Sequence, residues 1–270
     1  ADADLTAFAE KCPQLEELIL HCHGLTDQSV IALAQHCSRL KKLKLNRCKI
    51  TASFLIALSE RGLPLEELNF PGIPIPNAEI AAQCAHALSR MRYLITYSYH
   101  GRICHLVCAI QYMTGLRNIE LDSPDAHLLV PHLLLLLQGQ CCAGLERFTI
   151  GSGSSITPQQ FSEIVIRCSN LHTVHIYKST CTSDAVLVVL AHSCPHLQKV
   201  TLYTSIEVTD EGVLTMAVHC RQLRELDLAK TTLSKGVIRQ LAQHCQRLRI
   251  LRCKVEDSEL VRKWCWRELR

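Results

Sequence analysis

The sequence predicts an α/β solenoid in which a short strand and a helix alternate about ten times. The units are expected to stack into a right-handed horseshoe, with a parallel sheet on the concave face and helices on the convex one. Two periodicities carry this expectation. An apolar strand marker stands at Leu15, Leu40, Leu65, Met91, Leu116, Leu145, Leu171, Leu197, Leu223 and Leu248, with spacings of 25, 25, 26, 25, 29, 26, 26, 26 and 25. In step with it, one apolar helix face recurs at i, i+3, i+4 and i+7. It reads Val30, Leu33, Ala34, Cys37; Leu106, Ala109, Ile110, Met113; Phe161, Ile164, Val165, Cys168; Leu187, Leu190, Ala191, Cys194; and Ile238, Leu241, Ala242, Cys245.

The stretch from Cys194 to Cys220, CPHLQKVTLYTSIEVTDEGVLTMAVHC, contains one full unit. Leu197, Val200 and Leu202 sit at offsets 0, +3 and +5, and the last two alternate with polar residues as a half-buried strand does. Thr209 then supplies a helix N-cap, and Asp210 a carboxylate where the helix dipole favours one. Val213, Met216, Ala217 and Cys220 form a single apolar face. One strand and one helix of this size cannot bury those faces alone, so each unit needs neighbours.

A solenoid adds length without enlarging a central core. The 270 residues are therefore expected to form one domain, with hydrophobic content of 48% but aromatic content of only 5%. Residues 1–14 read as the helix of a truncated first repeat, 15–247 as nine repeats, and 248–270 as a last strand and C-terminal cap. The first segment, DADLTAFAEKC, aligns with DQSVIALAQHC of the next repeat, so the chain is expected to be a piece of a longer protein. In the last, Trp264 and Trp266 are expected to cover the final apolar turn or to reach a partner.

The longest apolar run, His127 to Leu137, is interrupted by Pro131 and is too short to span a bilayer. A formal net charge of +4 gives no sign of nucleic-acid binding. Of the 16 cysteines, many fall in one column three residues before the strand markers: Cys12, Cys37, Gly62, Leu88, Met113, Cys142, Cys168, Cys194, Cys220 and Cys245. Stacked at helix ends, such thiols act as small hydrophobes. Reduced thiols imply the cytoplasm or the nucleus.

Along the chain, the first three strands carry a charge ladder of Glu16 and Glu17, Lys41 and Lys42, Glu66 and Glu67. Opposite charges in register on neighbouring strands favour pairing; the other reading makes Lys42, Lys44, Arg47 and Lys49 a phosphate-binding patch. Repeats three to five are irregular. Pro71 to Asn77 is proline-rich, Tyr93 to Cys104 holds three tyrosines, and Leu128 to Leu137 is apolar on every side. Irregularity in a regular solenoid marks either function or a decayed repeat.

With offsets 0, +3 and +5 buried, the concave face comprises offsets +2, +4 and +6. Four of the six tyrosines fall there, and aromatic anchors among mixed charges suit protein recognition. The candidate protein-binding residues are Tyr93, Tyr97, His175, Tyr177, Lys199 and Tyr203.

No nucleophile elbow, phosphate-binding glycine loop or HExxH motif occurs, so catalysis is not expected and neither a cofactor nor a metal is assigned. Cys104, Cys108, His100 and His105 have ligand chemistry suited to zinc but not the usual spacing.

The units CPQLEELILHCHGLTDQSVIALAQHC, CPHLQKVTLYTSIEVTDEGVLTMAVHC and CRQLRELDLAKTTLSKGVIRQLAQHC resemble the cysteine-containing leucine-rich repeats of the F-box/LRR family. The resemblance covers nearly the whole chain and is weakest from Pro71 to Cys142. It implies a substrate receptor of a Skp1-cullin-F-box (SCF) ubiquitin ligase, in which an upstream F-box binds Skp1 and the horseshoe holds a protein substrate. No F-box lies within these residues, so Skp1 and cullin would be engaged outside this stretch. The alternative is a binding scaffold or inhibitor without ligase function.

Overall fold

A computed structural model describes residues 2–21, 23–46, 50–69, 77–97, 110–122, 126–136, 144–151, 156–177, 181–203 and 207–255, with 46, 68, 69, 95–97 and 136 as backbone only. Among the described residues strands and helices mostly alternate. The elements are α1 (Asp2–Lys11), β1 (Glu17–His21), α2 (Asp27–His36), β2 (Lys42–Asn46), α3 (Ser53–Arg61), β3 (Glu67–Asn69), α4 (Ala78–Gln83), α5 (Ala85–Arg90), β4 (Tyr93–Tyr97) and β5 (Asn118–Asp122). There follow a 3₁₀ turn (Ala126–Leu129), α6 (Val130–Leu136), β6 (Arg147–Ile150), α7 (Pro158–Val165), β7 (Thr173–Tyr177), α8 (Asp184–Ser193), β8 (Lys199–Tyr203), α9 (Asp210–His219), β9 (Glu225–Leu233), α10 (Lys235–His244) and β10 (Ile250–Val255). The strands form one sheet in chain order, β1 to β10, with every pair parallel.

The core is a thin aliphatic layer between sheet and helices. Leu197, Val200, Leu202, Val213, Met216, Ala217 and Cys220 are all fully buried, as the two periodicities predict. The last helix departs from them. In α10 the buried residues are Val237 and Leu241, while Ile238 is half-buried and Ala242 exposed. Among the described residues no helix packs beyond α10, so its buried face turns toward α9 and the sheet.

Three column thiols each reach the backbone carbonyl of the column cysteine one turn before. Cys37 donates to the carbonyl of Cys12 (3.4 Å), Cys194 to that of Cys168 (3.6 Å) and Cys245 to that of Cys220 (3.9 Å). Burial pushes the thiol of Cys245 up to about 11 and that of Cys220 up to about 12, and raises Cys194 still further. All the described cysteines are free thiols. Cys142 lies outside the described residues.

The charge ladder forms between strands: Lys41 to Glu16 (2.8 Å), Lys42 to Glu17 (3.6 Å), Lys44 to Glu67 (2.6 Å) and Arg92 to Glu66 (3.3 Å). Lys42 and Lys44, read alternatively as phosphate ligands, therefore already hold carboxylates. Arg47 and Lys49 lie outside the described residues.

A second ladder runs through the helix N-termini. The carboxylate of Asp184, first residue of α8, accepts from the backbone N–H (2.8 Å) and the hydroxyl (2.6 Å) of Thr209, the N-cap of α9. That threonine oxygen in turn accepts from the Glu211 N–H (3.3 Å). Asp2 holds Thr26 in the same way (3.0 and 2.9 Å), with Ser29 also donating to it, and these bonds hold the Asp2 carboxyl below its ordinary range. Asp27 holds Thr51 (2.7 and 2.5 Å), and Asp210 accepts from the Ser234 N–H (3.1 Å). Four pairs of successive helix starts are thus fastened, α1 to α2, α2 to α3, α8 to α9 and α9 to α10, beyond the dipole effect expected of Asp210. A Thr-Asp or Ser-Asp dipeptide recurs at 26–27, 183–184 and 209–210, but in sequence it reads only as a local helix cap.

Candidate functional site on the concave sheet

The concave face follows from the pleat. Offsets 0, +3 and +5 point into the core, which leaves +2, +4 and +6 on the open side. On β7 the burial alternates accordingly, with Thr173 and His175 half-buried, Val174 and Ile176 buried, and Tyr177 exposed.

Four of the six predicted residues come together on β7 and β8. Parallel register sets Thr173 beside Lys199, His175 beside Thr201 and Tyr177 beside Tyr203. Tyr177 and Tyr203 are 38% and 39% exposed, so this aromatic pair stands open on the sheet. His175 stacks beneath Tyr177, with ring centroids 5.8 Å apart at 19°. The ammonium of Lys230 on β9 lies 5.7 Å from the Tyr203 ring centroid, within cation–π range. Small residues flank the pair in the +6 column: Gly151 on one side and Ala229 on the other.

The electrostatics beneath the pair are settled internally. Lys199 reaches Glu225 at 2.9 Å, and Arg252 reaches Glu225 at 3.1 Å and Asp227 at 2.9 Å. Lys199 is therefore a strand-to-strand ion pair and not an uncommitted cation. His175 is held down to about 4, first by burial and then by the positive charges of Lys199 and Arg147, so it is neutral near pH 7. Its Nδ1 is buried without a hydrogen-bond partner.

Tyr93 and Tyr97 are set apart from this cluster. They lie on β4, three strands from β7, a separation of roughly 14 Å at sheet spacing. Tyr93 is half-buried beside Asn118 on β5. The side chain of Tyr97 lies outside the described residues, as do Pro71 to Pro76, the four cysteine and histidine residues weighed as zinc ligands, and both tryptophans. Among the described residues, no group of three potential metal ligands gathers. Sequence reasoning missed Lys230, which falls at offset +7 and belongs to the face only because β9 runs on to Leu233. On the segment that reads apolar on every side, Leu129 and Leu133 are buried, while Leu128 and Leu135 are 45% and 63% exposed.

The repeats, the single parallel sheet and the helix layer define a leucine-rich-repeat solenoid. Solved structures of the same class agree. The chain is similar to Rad7 in the yeast Rad7–Elc1 complex, with TM-score 0.52 and 17% identity over 93% of this chain and 72% of that one. It is similar to an internalin from Listeria monocytogenes, with TM-score 0.52 and 15% identity over 94% and 85%. A leucine-rich-repeat protein from Leptospira interrogans matches at TM-score 0.51 and 14% identity over 91% and 68%. No protein-family model and no curated protein sequence matches the chain. Among the described residues, no helix is long and apolar enough to cross a membrane.

Proposed function

We propose that this solenoid is a protein-recognition module that binds without catalysing, and that it serves as the substrate-holding domain of an SCF ubiquitin ligase receptor. The observation that carries binding is the open Tyr177–Tyr203 pair on a sheet where Lys199, Arg252, Glu225 and Asp227 are already paired with one another. Half-exposed aromatic anchors ringed by polar groups are what recognition surfaces use. The ligase role is supported by the likeness of the repeats to F-box/LRR proteins and by the fold shared with Rad7, which was crystallised with Elc1. Skp1 and a cullin are its proposed partners outside this stretch, in the cytoplasm or nucleus, where free buried thiols persist. The fold shared equally with an internalin favours the second reading, a binding scaffold without ligase function.

Affinity capture from cell lysate with the longest natural form of the chain separates the two. The expected result is recovery of Skp1 and a cullin, together with a partner set that disappears for the Tyr177→Ala/Tyr203→Ala variant. Loss of Skp1 and cullin from the list removes the ligase role. A partner set indifferent to the two tyrosines removes the concave site.

A further inference from the structure

The same face carries an asymmetry of charge that specifies what it takes. Strands β6 to β10 contribute Arg147, Lys199, Lys230, Arg252 and Lys254, against Glu225 and Asp227 as their only carboxylates. Both carboxylates are engaged within the sheet, Glu225 by Lys199 and Arg252, and Asp227 by Arg252. Lys230 and Lys254 make no ion pair among the described residues. Lys230 instead lies over the Tyr203 ring, and Lys254 is exposed on β10, where it pairs with Thr232, two residues beyond Lys230 on β9. Neutral His175 and the buried hydroxyl-bearing Thr149 and Thr201 add no charge to the floor. The face is therefore an aromatic step bounded on its C-terminal side by two ammonium groups that hold no carboxylate.

We infer that the concave face between β7 and β10 receives an extended, acidic protein segment that rests a large apolar side chain on Tyr177 and Tyr203 and sets aspartate or glutamate carboxylates against Lys230 and Lys254. A carboxylate at Lys230 gains a charge-assisted hydrogen bond while leaving the ammonium on the ring. A basic segment meets two ammonium groups and a guanidinium, which opposes its approach. The inference rests on the concave face being the protein-binding surface, and it adds the chemistry of the partner.

The test is selection of a random dodecapeptide library displayed on phage against three forms of the 270-residue chain: unmodified, Tyr177→Ala/Tyr203→Ala, and Lys230→Glu/Lys254→Glu. Circular dichroism melting confirms that each form is folded. The expected outcome is enrichment of peptides with aspartate or glutamate beside a large apolar residue. Synthetic copies should bind the unmodified chain at least tenfold more tightly than either variant, and should weaken as salt rises. Enriched peptides that are neutral or basic, or that bind the lysine variant undiminished, overturn the acidic partner while leaving the concave surface standing if they still need the tyrosines. Absence of enrichment, or peptides indifferent to both variants, overturns the inference and the concave site together.

Discussion

His175 shows what a side chain gains from its neighbours in adjacent repeats. Its place in the concave column was legible from an offset, but its protonation was not, because burial and the charges of Lys199 and Arg147 arise only when strands stack. Its folded value of about 4 lies below the ordinary value of 6.5, so between those limits the unfolded chain holds the proton more readily. Stability is therefore unaffected above that window and is lost as pH falls through it. The ring should titrate near pH 4 by NMR, and His175→Gln should flatten the acid side of a melting-temperature profile; titration at its ordinary value would contradict the burial. The cysteine column was legible as buried thiols, and the structure adds a rank of reactivity. In native protein, half-buried Cys12 and Cys253 should react with a thiol reagent before Cys194, Cys220 and Cys245, whose thiolates burial disfavours. Equal rates would mean that the column opens freely.

At the scale of elements, strands and helices were legible because each reports its own period. The fastening between helix starts was not, since a Thr-Asp pair looks like a local cap until the next turn is laid beside it. Gly212 exposes the closeness of that fit: a Cβ there would stand 2.2 Å from Oδ1 of Asp184 and 3.1 Å from its Cα. Gly212→Ala, which gains about 1 kcal/mol in an open helix, should instead lower stability by displacing the carboxylate. Asp184→Ala should cost about 1–2 kcal/mol, as the loss of an N-cap partner does. In chemical denaturation the two should be strongly non-additive, because either one undoes the same bond. Simple additivity would separate the glycine from the carboxylate. The broken helix α4–α5 and the long strand β9 were not legible at all. Cys84 and Ala229 carry no breaker or stop signal, and both features arise from how adjacent repeats meet.

For the whole molecule, the order of the sheet was legible from one repeating offset, whereas the strength of each joint was not. Most neighbouring strands pair over three to five residues, but among the described residues β3 and β4 meet at a single pair, Glu67 and Tyr93. Because each repeat leans only on its neighbours, the weakest joint sets where the stack parts. Hydrogen exchange should therefore divide the chain there, with β1 to β3 exchanging as one group and β5 to β9 as a slower one; a single rate throughout would show that the helix layer bridges the joint. Leu202→Ala, in the well-joined half, should cost about 2–5 kcal/mol in denaturation, and a smaller loss would indicate collapse around the gap.

The aspartate fastenings span 24 or 25 residues from carboxylate to partner. They work as a gauge of length. Loops that differ by one residue are still held, since Thr209 stands 12 residues past its leucine marker and Ser234 only 11 past its own, but a longer insertion would leave the strand in register while carrying the helix start away from the carboxylate behind it. Growth of such a solenoid is thereby limited to turns of nearly constant size wherever the gauge is read.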